Sequence, residues 1–179
     1  MKRSRVAKRY ARALFELAVE KKQLDVVETD LKLLQDDYQQ VEEFQQLMDS
    51  PVIPGATKQK VFAEAYKSRL QENTFSFVAF LITKNRESLL EDVILDFYDL
   101  LDDHRGIIRG DVYSVVALSD AQVKSLKARL DEITGKNVIF SQKIDENLLG
   151  GFVVKIDDMV YDTSLRNQLE VLRRNLVES

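Results

Sequence analysis

Residues 150–176, GGFVVKIDDMVYDTSLRNQLEVLRRNL, decide how this chain is divided. Residues 152–156 are apolar and β-branched, the composition of a buried strand. Asp157-Asp158 punctuates them, and residues 159–161 return as a short second strand. Asp162, Thr163 and Ser164 all carry side chains that accept a bond from an orphan helix N–H. Leu165, Leu169, Leu172 and Leu176 then fall at i, i+4, i+7 and i+11, one apolar stripe on a helix, with Arg166, Arg173 and Arg174 on the other side. Gly150-Gly151 permits a tight turn before the first strand. The stretch contains no nucleophile, metal cluster or phosphate loop. It points to a protein that binds and holds rather than one that catalyses.

Immediately upstream the pattern is also mixed. Residues 107–118 are strand-like, with Gly110 expected as a bulge or turn. Ser119 and Gln122 form a capping box. Val123, Leu126, Leu130 and Ile133 follow at helical spacing, and Gly135 stands where a helix C-terminus belongs. Residues 138–144 make another strand. The order β-α-β-β-(β)-α predicts a small α+β domain over residues 106–179.

Residues 1–105 are punctuated differently. Both prolines, Pro51 and Pro54, lie together, and only Gly55 of six glycines precedes residue 106. Six helices are expected. The first, residues 4–22, carries an apolar stripe of Val6, Tyr10, Ala13, Leu14 and Leu17. Ala7, Ala11, Phe15 and Ala18 widen it to about two thirds of the circumference, far beyond the ~100° stripe of a surface helix. The second is one-sided, and a short third ends at the Asp49-Ser50-Pro51 break. The fourth presents Val61, Phe62, Ala65 and Tyr66. The fifth, residues 73–85, contains FSFVAFLI and reads as a helix covered on all sides. Ser88 with Glu91 reads as a capping box opening the sixth. The fold class is therefore α+β: an N-terminal six-helix bundle followed by a small C-terminal α+β domain.

Composition narrows the function. A formal net charge of −4 argues against a general nucleic-acid binder. Without cysteine there are no disulfides or thiolate metal sites. No apolar run reaches the ~18 residues of a membrane span, and the arginine-rich N-terminus runs directly into the first helix. His104 lies near Asp99, Asp102 and Asp103, but helix geometry disperses these side chains, so a polar helix end is expected rather than a metal site. Gly135-Lys136 lacks the rest of a phosphate loop. The basic cluster Lys2, Arg3, Arg5, Lys8, Arg9 and Arg12 reads as a solvated helix face, or as a contact for an anionic membrane or acidic partner surface. No catalytic residue, cofactor or metal is expected. The most informative anomaly is the surplus apolar surface of the first and fifth helices. Pattern alone admits two explanations: both helices are central to the bundle, or they form a groove for an amphipathic helix of another protein. A helical adaptor for some such peptide is the alternative function on the second explanation.

Three stretches carry a family resemblance: VAKRYARALFELA at residues 6–18, LMDSPVIP at 47–54, and residues 147–166 with their paired glycines, alternating strand and Asp162-Thr163-Ser164-Leu165-Arg166. In these the chain resembles, over essentially its whole length, the delta subunits of F-type ATP synthases, relatives of the mitochondrial oligomycin-sensitivity-conferring protein. It has Asp157 where the family often places a turn glycine, and Asp tolerates that left-handed backbone comparatively well. The resemblance implies a non-catalytic stator subunit, present as a single copy in a hetero-oligomeric complex, which ties the catalytic head to the peripheral stalk and resists rotor torque. It implies a position on the cytoplasmic side of a bacterial cell membrane, reached only indirectly through the complex, and no nucleic-acid partner. It further implies that the bundle, residues 1–105, binds N-terminal helices of the alpha subunits, through Tyr10, Ala13, Leu14 and Leu17 with Phe77, Phe80 and Leu81. Residues 106–179 would engage the C-terminal end of the b-subunit stalk, with Leu169, Leu172, Arg173 and Leu176 as candidates.

Overall fold

The computed structural model describes residues 4–156 and 159–177, with side chains as far as Arg174. The chain divides into two compact units, Met1–Leu101 and Asp102–Ser179. The Asp157-Asp158 turn and the basic residues Lys2 and Arg3 lie outside the described residues.

The first unit is helical: α1 Arg5–Glu20, α2 Leu24–Gln40, α3 Glu42–Asp49, α4 Gly55–Tyr66, α5 Glu72–Thr83, a 3-10 turn Glu87–Leu89, and α6 Leu90–His104. Ser4 caps α1 by accepting the Val6 N–H, and Pro54 stands at the N-cap of α4. Ser88 is no cap. It lies within the 3-10 turn, so the expected Ser88–Glu91 box does not open α6. In α1 three of the four alanines face the interior: Ala7, Ala11 and Ala18 are buried with Leu14, while Tyr10 and Leu17 are half-buried and Ala13 is exposed. The supposed side extension is thus the core face, where small side chains let neighbouring helices approach closely.

Aromatic rings bind α3, α4 and α5 together. Tyr66 lies 5.1 Å from Phe44 and 5.0 Å from Phe62, and Phe62 stacks on Phe75 at 5.3 Å. Each such contact adds ~0.5–1.5 kcal/mol beyond area burial. The buried face of α4 is Lys58, Phe62 and Tyr66; Val61 and Ala65, expected inside, are exposed. Several buried polar groups are paired across elements. Asp30 accepts the Gln71 N–H at the start of α5, and the Tyr38 and Tyr66 hydroxyls donate to Asp49 and Asp37. Burial, followed by these carboxylate contacts, raises both tyrosine pKa values far above the ordinary range.

The second unit contains β1 Ile107–Ser114, α7 Asp120–Thr134, β2 Asn137–Ile144, β3 Phe152–Ile156, β4 Met159–Asp162 and α8 Leu165–Val177. Its sheet has the order β2-β1-β3-β4; β1 and β2 are parallel, joined through α7, and the other pairs are antiparallel. Val112, Val138, Val154 and Ile156 meet Leu126 and Leu130 of α7 in the core. Gly110 is neither bulge nor turn. It sits in unbroken register between Phe140 and Ile156. A Cβ there would come within 2.6 Å of the Lys155 carbonyl oxygen and 2.8 Å of Ile156, so the strands approach too closely for any side chain. The Ser119–Gln122 capping box and the left-handed Gly135 bound α7 as expected. Ser164 caps α8 by accepting the Asn167 N–H.

Strand β2 is an edge, and its Val138 is guarded by α7. Asp131 accepts the Val138 N–H at 2.6 Å and a hydrogen bond from Lys127 at 2.8 Å; Lys127 also donates to the Val138 carbonyl. Side chains on backbone edge groups deny a foreign strand its template. The Lys127 hydrogen bond, then the Val138 N–H, holds the Asp131 carboxyl below the usual carboxylate range. A lowered native value contributes stability in full above the unfolded value of ~3.9, and that contribution disappears as pH falls through the native value. Asp131→Asn should therefore be less stable than the parent at neutral pH, with the gap closing below about pH 4. Urea midpoints followed by circular dichroism from pH 7 to 2 test this; a constant gap would refute it.

Candidate functional site

Helices α1 and α5 run antiparallel. Tyr10 meets Phe80 edge-to-face at 6.3 Å, while at the other end Lys21 donates to Asn73 at 2.6 Å. Asn73 in turn donates to Gln23 at 2.6 Å, which closes that end. Between the two ties lies a cavity of about 340 Å³ lined by Arg9, Tyr10, Ala13, Leu14, Leu17, Phe77 and Phe80. The other side of α1 is held by the core, Phe15 packing on Phe97 of α6 at 5.7 Å. The groove therefore has fixed walls and an apolar lining.

Six of the seven residues selected on the bundle line this groove: Tyr10, Ala13, Leu14, Leu17, Phe77 and Phe80. Leu81 does not. It is wholly buried and belongs to the bundle core, one helical step around α5 from Phe80. Helix α5 is likewise not covered on all sides: Thr74, Val78, Leu81 and Ile82 are buried, but Phe80 is 47% exposed. Arg9, which sequence pattern assigns to a solvated face, lines the groove as well. Its signal is present in the spacing, because Arg9 precedes Ala13 by four and so shares its side of α1. Lys84 extends the same wall on α5, its ammonium 5.5 Å from the centre of the Phe80 ring.

On the second unit, Leu165, Leu169 and Leu172 of α8 are 46%, 59% and 55% exposed. Arg173 is exposed too, and the Leu176 side chain lies outside the described residues. Helix α8 shows no buried residue among those described. The described leucines of this stripe thus leave apolar area in contact with solvent. Beside His104, Asp102 is engaged by Arg109 and Asp103 by Lys136. Among the described residues no group of three or more His, Asp or Glu could hold a metal ion, and no helix is long and apolar enough to cross a membrane.

Fold and groove together define the class: a two-unit chain whose helical bundle carries an open apolar groove and whose α+β unit carries an exposed leucine stripe. The family "ATP synthase delta (OSCP) subunit" matches residues 6–176, and the chain belongs to it. It is similar to the ATP synthase subunit delta of Chlorobaculum tepidum, 40% identical over 96% of this chain and 94% of the relative. It is also similar to that of Carboxydothermus hydrogenoformans, 35% identical over 98% and 99% of the two chains. A chain of the Toxoplasma gondii mitochondrial ATP synthase hexamer shares the fold, with TM-score 0.71 at 20% identity, covering 97% of this chain and 98% of that one. The chain is thus the delta-type subunit of an F-type ATP synthase, one component of a hetero-oligomeric complex, and its role is that of a peripheral-stalk subunit.

Proposed function

We propose that this subunit makes and breaks no bonds itself, and that it joins the catalytic head to the peripheral stalk by gripping one helix at each unit. The groove between α1 and α5 would receive an amphipathic N-terminal helix of an alpha subunit. The leucine stripe of α8, with Arg173, would hold the C-terminal end of the b subunit. A single copy would then sit peripherally on the cytoplasmic side of a bacterial cell membrane, attached only through its complex. The observation that carries this reading is the groove itself. Half-buried Tyr10, Leu17 and Phe77 beside exposed Phe80 leave apolar area in contact with water, and covering it stabilises a complex by ~25 cal/mol per Å² before the cost of association.

Titrating the full chain in a calorimeter with a synthetic peptide from the N-terminus of an alpha subunit tests this. Saturable one-to-one binding with a negative heat-capacity change is expected; absence of binding sinks it. A second expectation concerns α8. Leu169→Asp places a charge on a stripe that must become dry. It should weaken capture of the C-terminal segment of the b subunit about 30-fold or more. Folding should be unaffected, since Leu169 is already 59% exposed. Equal capture by the variant would remove α8 from the interface.

A further inference from the structure

The two ends of the groove differ electrically. The first turns of α1 carry Arg5, Lys8, Arg9 and Arg12, with no acidic residue in the opening turn. Arg12 is neutralised by Glu16 at 2.9 Å. Arg9 lines the groove directly. Because α1 and α5 are antiparallel, the end of α5 lies beside the start of α1, and Lys84 stands there over Phe80. Among the described residues neither Arg9 nor Lys84 has a carboxylate partner. At the opposite end Glu20 and Glu72 offset the charges of Lys21 and Lys22, and the Lys21 ammonium is held by the Asn73 side chain, so no cation there is in excess. From Asn73 to Lys84 the wall spans ~17 Å, about three helical turns. That exceeds the ~8 Å screening length at physiological salt, so an occupant's two ends feel different potentials.

We propose that the groove is directional: Arg9 and Lys84 seat the carboxylate-bearing end of an amphipathic helix, so the occupant lies in one of its two possible senses along α1. This rests on the groove reading above and adds to it the chemistry of the partner, an apolar stripe with acidic side chains clustered at one end. Apolar burial supplies the affinity, because leucines pack equally well in either sense. The cations supply the choice, because only one sense pairs them; complementary charge fixes register and orientation more than raw affinity. Their position over an aromatic wall suits this role. Lys84 already rests on the Phe80 face, so its ammonium is held at the rim where a carboxylate arrives.

Two synthetic peptides of about 18 residues, long enough to span the groove, provide the test. Both have one leucine stripe and blocked termini, and they differ only in carrying two glutamates in the first turn or in the last. Each bears a nitroxide beyond its acidic end, and line broadening is read on amides of the isotope-labelled full chain. Broadening around Arg9 and Lys84 with both peptides is expected. The double variant Arg9→Glu/Lys84→Glu should bind each about 10-fold more weakly, as two rim ion pairs are lost, and a version with lysines for the glutamates should regain that factor. Broadening around Lys21 and Asn73, or at both ends equally, with binding intact, overturns the directional proposal and leaves the groove reading standing. Failure of the parent chain to bind either peptide overturns the groove reading, and the proposal with it.

Discussion

A chain carrying Lys58→Met is expected to lose about 3–5 kcal/mol of stability, the usual result of removing one partner from a buried ion pair. Lys58 is 1% exposed and lies inside a helical bundle. Its ammonium donates to Glu87 at 2.5 Å and to the Met48 carbonyl at 3.1 Å. Met48 ends the core face of α3, and the carbonyls of a last helical turn have no helical partner. One side chain on α4 thus ties the end of α3 to the 3-10 turn before α6. Methionine matches the aliphatic length but leaves the Glu87 carboxylate alone in the interior, where its second oxygen already has no hydrogen-bond partner. The double variant Lys58→Met/Glu87→Leu removes both charges and should recover most of the loss, since apolar replacement of a whole buried pair is often neutral. Urea titrations of the two variants decide the point: a double variant as unstable as the single would show that packing, not the stranded charge, is responsible. The defect should reach the groove, because Phe62, one turn beyond Lys58, stacks on Phe75 of α5, the helix whose Phe77 and Phe80 line it.

Lys58 also marks where sequence reading stops. The helices, the succession of strands along the chain and the caps at Ser119 and Gly135 follow from periodicity and turn chemistry, because these are local: each element buries one face and needs its ends satisfied. A buried lysine is invisible to that logic. Hydrophobic patterning counts it as surface, and only the arrival of Glu87, distant in sequence, makes its burial tolerable. Gly110 escapes for a similar reason. A glycine inside a strand signals either a bulge or a close neighbour, and the neighbour, Lys155 on β3, is known only once the strands pair. Helix α8 illustrates the reverse case. Its leucine stripe is legible, but whether water or protein covers it depends on the rest of the fold, and in this chain it stays exposed.

The groove residues are legible as a set and not one by one. Projection around α1 gives the direction of every side chain but not which neighbour each direction meets, and so the alanine face and the Tyr10–Leu17 face exchange roles. On α5, adjacent residues diverge by roughly 100°, which separates exposed Phe80 from buried Leu81. The same two helices therefore supply a paired test of what is groove and what is core. Ala13→Trp should abolish binding of the alpha-subunit peptide, an affinity loss of about 100-fold or more, by placing an indole in the cavity of about 340 Å³. Its effect on stability should stay within about 1 kcal/mol, because Ala13 is exposed and tryptophan is only modestly worse than alanine in a helix. Leu81→Ala should behave oppositely, costing about 2–5 kcal/mol through the cavity it leaves in the core, with peptide affinity nearly unchanged at temperatures where the fold persists. Calorimetric affinities and urea midpoints of both variants read the two properties separately. Peptide binding that survives Ala13→Trp would mean that the partner helix docks elsewhere, and that the open space between α1 and α5 is only a gap in the packing.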